Sequence, residues 1–290
     1  MFDKTKANDK DYVLEAVSRN VFALKYASPE LRNDKDIVLM AIRKNGLTLQ
    51  YASSELQNDK DIVLKAVEND GMALEYASPE LQNDKDVVLK AVEKNGWSLE
   101  YANPALRSDR DFVLKVVEKD GYALEFVSPE LRSDKDVVLA AVENDGDALE
   151  YASPELKSDK EVVLKAVSGV SRNGCANGYT LEFASPELRN DKDIVLMAVS
   201  NGGYALRFAS DELRSDRDVV LKAIENDGYA LKFASNDLRN DKEVALKAIE
   251  NDGDALEFVG SDLRNDEDIK AAAEAYFEGL EDDLGDDIGD

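Results

Sequence analysis

The sequence predicts an all-α solenoid of ten 25-residue helical-hairpin repeats plus a truncated C-terminal capping repeat. Three observations lead there. Aspartates preceded by Asn or Ser recur at Asp9, Asp34, Asp59, Asp84, Asp109, Asp134, Asp159, Asp191, Asp216, Asp241 and Asp266, every interval being 25 residues except the 32 between Asp159 and Asp191. The string ASPELRNDKDIVLMA stands at both 27–41 and 184–198, a separation of 157 residues, which is six periods plus an insertion of seven. Within each unit the apolar residues keep a helical spacing, yet a single unit holds too few of them to bury a core alone, so its faces need neighbours.

Counting from the aspartate as position 1, each element has a local cause. The Asn or Ser before the aspartate, with Asp or Glu at position 3, reads as a capping box in which the small polar side chain caps and the acid returns the bond. Acids in the first turn also suit the helix dipole. Helix A then runs about eleven residues to a glycine, as at Gly46, Gly71, Gly96 and Gly121, which suits a left-handed stop; Val21 breaks this pattern in the first unit. Its apolar positions are 4, 5, 6, 8 and 9, as in Val87, Val88, Leu89, Ala91 and Val92, leaving positions 3, 7, 10 and 11 to solvent. Helix B is short, as in WSLEYA at 97–102, and buries a small residue, a leucine, an aromatic and an Ala or Val. SPEL supplies a serine cap, a proline at the first helical position and an inward leucine, giving one extra turn.

Two stretches depart from the rule. The seven-residue insertion lies within SGVSRNGCANG, 168–178, and carries the only cysteine, Cys175. The last unit places Lys270 and Ala271 where others place Val and Leu, as a polar end cap would. A single repeat domain over 1–280, followed by a frayed, disordered acidic tail at 281–290, is the expected organisation.

Composition narrows function. The 62 acidic residues against 36 basic ones give a formal charge of −26, which disfavours phosphate backbones and anionic membranes. No apolar run reaches the roughly 18–20 residues of a membrane span, and the N-terminus lacks a signal-peptide core. A soluble protein of the cytoplasm or another reducing compartment is expected. There is no histidine, so triads, Cys–His dyads and the commonest zinc ligand are excluded. Carboxylate pairs recur in every unit at capping positions, as a structural role predicts, and a Lys or Arg sits between them in most units, which disfavours calcium. No catalytic, cofactor-binding or metal-binding residue is expected.

The strings LRNDKDIVLMAI, AVEKNG and SLEYANPAL resemble the tandem repeat known as domain of unknown function 4116, and the resemblance extends over 9–265. That family's members are mostly bacterial, algal or viral, some of them multidomain secreted effectors, so the resemblance leaves secretion open. It implies a helical repeat and carries over no activity.

In a repeat protein, function is sought where units differ while the framework stays fixed. Position 14 is such a place: Phe22, Leu47, Met72, Trp97, Tyr122, Tyr179, Tyr204 and Tyr229, interrupted by Asp147 and Asp254. The row either seals the groove between successive helices or anchors a partner. Position 17 is acidic in the middle of the chain and basic at Lys25, Arg207 and Lys232, and Met40 and Met197 replace the usual lysine at position 7. The expected function is a non-enzymatic scaffold or spacer, monomeric, binding a protein and neither nucleic acid nor membrane; the polar last unit argues against end-to-end stacking. The alternative is an acidic nucleic-acid mimic that sequesters a basic DNA- or RNA-binding protein.

Overall fold

The computed structural model describes residues 2–169 and 179–285, and side chains up to 278. Cys175 and most of the insertion lie outside them. The described residues contain α- and 3-10 helices and no strand. The chain divides into two compact halves, Met1–Asn144 and Asp145–Asp290.

Each unit of the N-terminal half repeats one plan. In the Asp34 unit, helix A is Lys35–Lys44, helix B is a 3-10 helix over Gly46–Tyr51, and a final turn follows in Ser54–Gln57. The position-1 aspartate is the cap: Asp34 accepts the backbone N–H groups of Asp36 and Ile37. The capping-box expectation is therefore corrected by one residue. The Asn before it is free to reach into the next unit, where the Asn33 side-chain carbonyl accepts the Ser53 hydroxyl and its amide donates to Glu55. The position-3 acid faces solvent, as the 85% exposed side chain of Asp36 illustrates.

The core of this unit is Ile37, Val38, Ala41, Ile42, Leu49, Ala52 and Leu56, with Thr48. The position-6 leucines, from Leu14 to Leu246, are half-buried rather than buried. At about 100° per residue, positions 4, 8, 5 and 9 fall within an arc of about 140°, and position 6 lies about 60° beyond it. Within each half, consecutive helices A pack on one another and consecutive helices B likewise, so each half is a stack of hairpins.

Three contacts recur at the joints. The position-20 amide donates to the position-24 carbonyl of the preceding unit: Ser53 to Arg32, Ser78 to Gln57, Asn103 to Gln82 and Ser128 to Arg107, each at 2.9 Å. The position-2 cation bonds the next unit's capping aspartate: Lys10–Asp34 at 2.6 Å, Lys35–Asp59 at 2.6 Å, Lys60–Asp84 at 2.8 Å and Arg110–Asp134 at 2.7 Å. The glycine after helix A lies on the next unit's helix: a β-carbon on Gly46 would stand 2.3 Å from the Ala66 carbonyl oxygen, and one on Gly71 equally close to Ala91. This corrects the left-handed stop. The preceding residue is extended (Asn45, φ −155°), and the glycine is there because a neighbour's backbone leaves no room for a side chain.

The C-terminal half uses the same joints. Lys160 bonds Asp191 at 2.7 Å, and Ser185 donates to the Lys157 carbonyl at 2.9 Å, so the register survives across the insertion. Lys192–Asp216 and Lys242–Asp266 continue the ladder. The closing helix runs Glu267–Gly285, into the segment expected to be a frayed tail from residue 281; residues 286–290 lie outside the described ones. Its Ile269 and Ala273 are buried, while Lys270, Ala271 and Glu274 face outward.

Candidate functional site

The position-14 side chains sit at the second residue of helix B, except Tyr179, which precedes its helix Thr180–Phe183. The position-12 side chain fixes that residue's backbone: Asn45 accepts the Leu47 N–H, Asp70 that of Met72, Asn95 that of Trp97 and Asp120 that of Tyr122. Consecutive B helices pack side by side, so the row lies along one face of each half. Exposure varies along it. Phe22 is 44%, Trp97 55% and Tyr179 54% exposed, whereas Leu47, Met72, Tyr122, Tyr204 and Tyr229 are half-buried.

In the C-terminal half the rings form a ladder. Tyr179 meets Tyr204 at 4.8 Å, Tyr204 meets Phe233 edge-on at 5.1 Å, and Tyr229 meets Phe258 edge-on at 4.7 Å. Position 14 of one unit thus packs on position 18 of the next, sealing the groove, with edge-to-face geometry that rings favour. Cations cover the outer side: Arg207 lies over Tyr204 and Phe208, and Lys232 over Tyr229 and Phe258. Lys232 also donates to the Tyr229 hydroxyl at 2.7 Å. Asp147 interrupts the row and accepts the Thr180 hydroxyl at 2.6 Å.

The N-terminal half differs in sign. Its helix-B face carries Trp97 between half-buried Met72 and Tyr122, with exposed Glu75 and Glu100 beside them. The negative field registers on the neighbouring phenols. Burial, then the adjoining Glu75, push the Tyr76 hydroxyl above its usual pKa; burial, then Glu75 and Glu100, do the same to Tyr101. Of the two exposed-methionine candidates, Met40 is half-buried and Met197 is 42% exposed.

The model of the family described as "Domain of unknown function (DUF4116)" matches residues 9–57, 37–82, 59–107, 84–132, 109–157, 134–176, 159–214 and 216–264. The chain belongs to this family. Most DUF4116 matches span about two consecutive units, so the family model describes a pair and its joint rather than one hairpin. No curated protein and no solved structure matches the chain.

In the DUF4116 array the recurring carboxylates have partners. Lys60 holds both Asp84, at 2.8 Å, and Asp86, at 3.2 Å, and Lys192 holds Asp216 and Asp218 in the same way. The Lys35 ammonium keeps the Asp59 carboxyl below its usual pKa, against burial and aided by the Ile62 N–H; Arg110 does so for Asp134 and Lys160 for Asp191. No described helix is long and apolar enough to cross a membrane.

Sequence reasoning missed two features. One is the position-11 asparagine: Asn69 accepts the Gly46 N–H at 2.7 Å and donates to the Arg43 carbonyl, and Asn144, Asn226 and Asn251 repeat the clamp. Its signal was present as Asn recurring before the position-12 cap. The other is a groove of about 700 Å³ on the first unit, walled by Phe2, Tyr12, Phe22 and Tyr26.

Proposed function

We propose that the chain is a non-enzymatic scaffold that binds a protein partner along the helix-B face of its N-terminal half. The observation that carries this reading is Trp97, which is 55% exposed although its backbone is anchored at the start of a rigid helix. A large aromatic held on a fixed backbone, flanked by half-buried apolar side chains, is the composition of an interface anchor. Glu75 and Glu100 beside it favour a partner segment that brings lysine or arginine. The joints supply a rigid support and leave the variable positions to recognition.

The nucleic-acid mimic is the second reading, motivated by the −26 charge. Against it stands the ladder, in which the capping aspartates already hold cations. The test is a pull-down from lysate at graded salt, using wild type and Trp97→Ala with Tyr122→Ala, folding being checked by circular dichroism. The scaffold reading expects a partner retained at 0.5 M salt and lost on the double substitution, since anchor truncation costs about 2 kcal/mol or more. Partners that are all basic nucleic-acid-binding proteins, lost with rising salt and indifferent to the substitutions, would overturn it for the mimic.

A further inference from the structure

The groove on the first unit lies on the face that, in the later units of the N-terminal half, receives the preceding repeat. In the Asp59 unit that face offers the Ala66 carbonyl to Gly46 and the Asn69 side-chain carbonyl to the Gly46 N–H. The equivalent residues of the first unit are Ala16 and Arg19, and both line the groove. Asn69 is an acceptor; Arg19 can only donate. A donor at this position is also used inside the array, where the Lys44 ammonium donates to the Ser18 carbonyl of the preceding repeat.

The walls and rim give the rest of its chemistry. Phe2 packs between Tyr12, edge-on at 5.3 Å, and Tyr26, tilted at 5.6 Å, while Phe22 and Tyr26 remain 44% and 41% exposed. Lys4 and Lys25 line the groove beside these rings, and the only carboxylate among the lining residues, Glu15, is taken by Arg19. Residues 1–25 hold five cations (Lys4, Lys6, Lys10, Arg19, Lys25) against four acids (Asp3, Asp9, Asp11, Glu15), a reversal of the chain's balance. The opposite extreme is 266–290, with eleven acids and the single cation Lys270. Within it Leu280, Leu284 and Ile288 recur every four residues among Glu281, Asp282, Asp283, Asp286 and Asp287, the spacing that puts apolar side chains on one side of a helix.

We propose that the aromatic, cation-rimmed groove on the first repeat binds the acidic segment 279–290 of a second copy of this chain. The apolar residues enter between Phe22 and Tyr26, and the carboxylates meet Lys4 and Lys25. This contact does not use the outward face of the last helix, whose Lys270 and Glu274 oppose stacking. It joins unlike surfaces, so it is heterologous and leaves one groove and one tail open in each pair.

Light scattering of the full chain at 50 mM salt tests this directly. The mass is expected to rise with concentration above the 32.0 kDa of one chain and to return to it at 0.5 M salt. Deleting 279–290, or the substitution Lys25→Glu with Phe22→Ala, is expected to hold the mass at one chain at every concentration. A labelled 279–290 peptide titrated into the deletion variant should bind, and bind at least tenfold more weakly after Lys25→Glu. Trp97→Ala should change none of this, which separates the groove from the helix-B face. A concentration-independent mass of one chain in wild type overturns the proposal. So does association that survives the deletion, whether through paired grooves or another surface.

Discussion

A β-carbon on Gly46 would lie 2.3 Å from the Ala66 carbonyl oxygen and 3.1 Å from the Asp70 nitrogen, both backbone atoms that cannot rotate away. The same crowding recurs at Gly71, Gly203 and Gly228. Gly46→Ala therefore has to push two repeats apart, and is expected to cost about 1–3 kcal/mol, the range for overpacking. A fall in the urea midpoint with an unchanged slope would report it; an unchanged or raised midpoint would return the glycine to a conformational role. The neighbouring Asn69 reinforces the same contact from the side, its amide spanning the Gly46 N–H and the Arg43 carbonyl. The glycine and the asparagine are thus two halves of one contact, contributed by successive repeats.

Within a helix A, the capping aspartate does more than the asparagine before it. Asp59 accepts the N–H groups of Asp61 and Ile62 and also takes Lys35, whereas Asn58 accepts the Ser78 hydroxyl. Asp59→Ala is expected to cost about 1–2 kcal/mol as a lost cap, and Asn58→Ala about 0.5–1 kcal/mol as a lost hydrogen bond. Thermal or urea unfolding of the two variants checks the order; the reverse order would restore the asparagine as cap. The sequence made the helices, their period and the inward leucine of SPEL legible, because spacing and caps act within a few residues. It left the cap ambiguous by one residue, since Asn and Asp are equally good caps and stand side by side. The glycine was misread because its cause, the Ala66 carbonyl, lies about one repeat away along the chain. Leu89 was read as core because a helical wheel does not say how wide the neighbour's shadow is. The position-14 row was read from the sequence as the variable place. Which of its members are exposed depends on the next repeat's position-18 ring, as when Phe233 covers Tyr204 and Phe258 covers Tyr229.

Across the whole chain the ladder of cations and capping aspartates sets how stability follows pH. The carboxyls of Asp59, Asp134 and Asp191 are held below their ordinary value, so their contribution is present above the unfolded pKa of about 3.9 and is lost as pH falls through the folded one. Lys35 is raised by Asp59, and Lys60 by Asp84 and Asp86, so their share is fully present below about 10.4 and is lost as pH rises through the folded pKa. Protonation of the unpaired acids above pH 4 relieves the repulsion of a −26 chain and acts in the opposite direction. The urea midpoint is expected to hold or rise from pH 7 to about 4.5 and then to fall steeply below about pH 4, with a shallower fall in Lys35→Met with Lys60→Met. An equally steep fall in that variant would assign acid unfolding to groups outside the ladder. The joints have one more consequence, drawn from the bond between each position-20 amide and the carbonyl one repeat back. It is made by backbone atoms and is the same at Ser53, Ser78, Asn103 and Ser128, so a repeat is a unit of length as well as of structure. Removing residues 59–83 would splice Asn58 to Asp84 and present Lys35 with Asp84, Gly46 with the Ala91 carbonyl, and Asn103 with Gln57. Removing one residue fewer would set every one of these pairs out of step. The gene can lengthen or shorten such an array in whole steps without inventing a new contact.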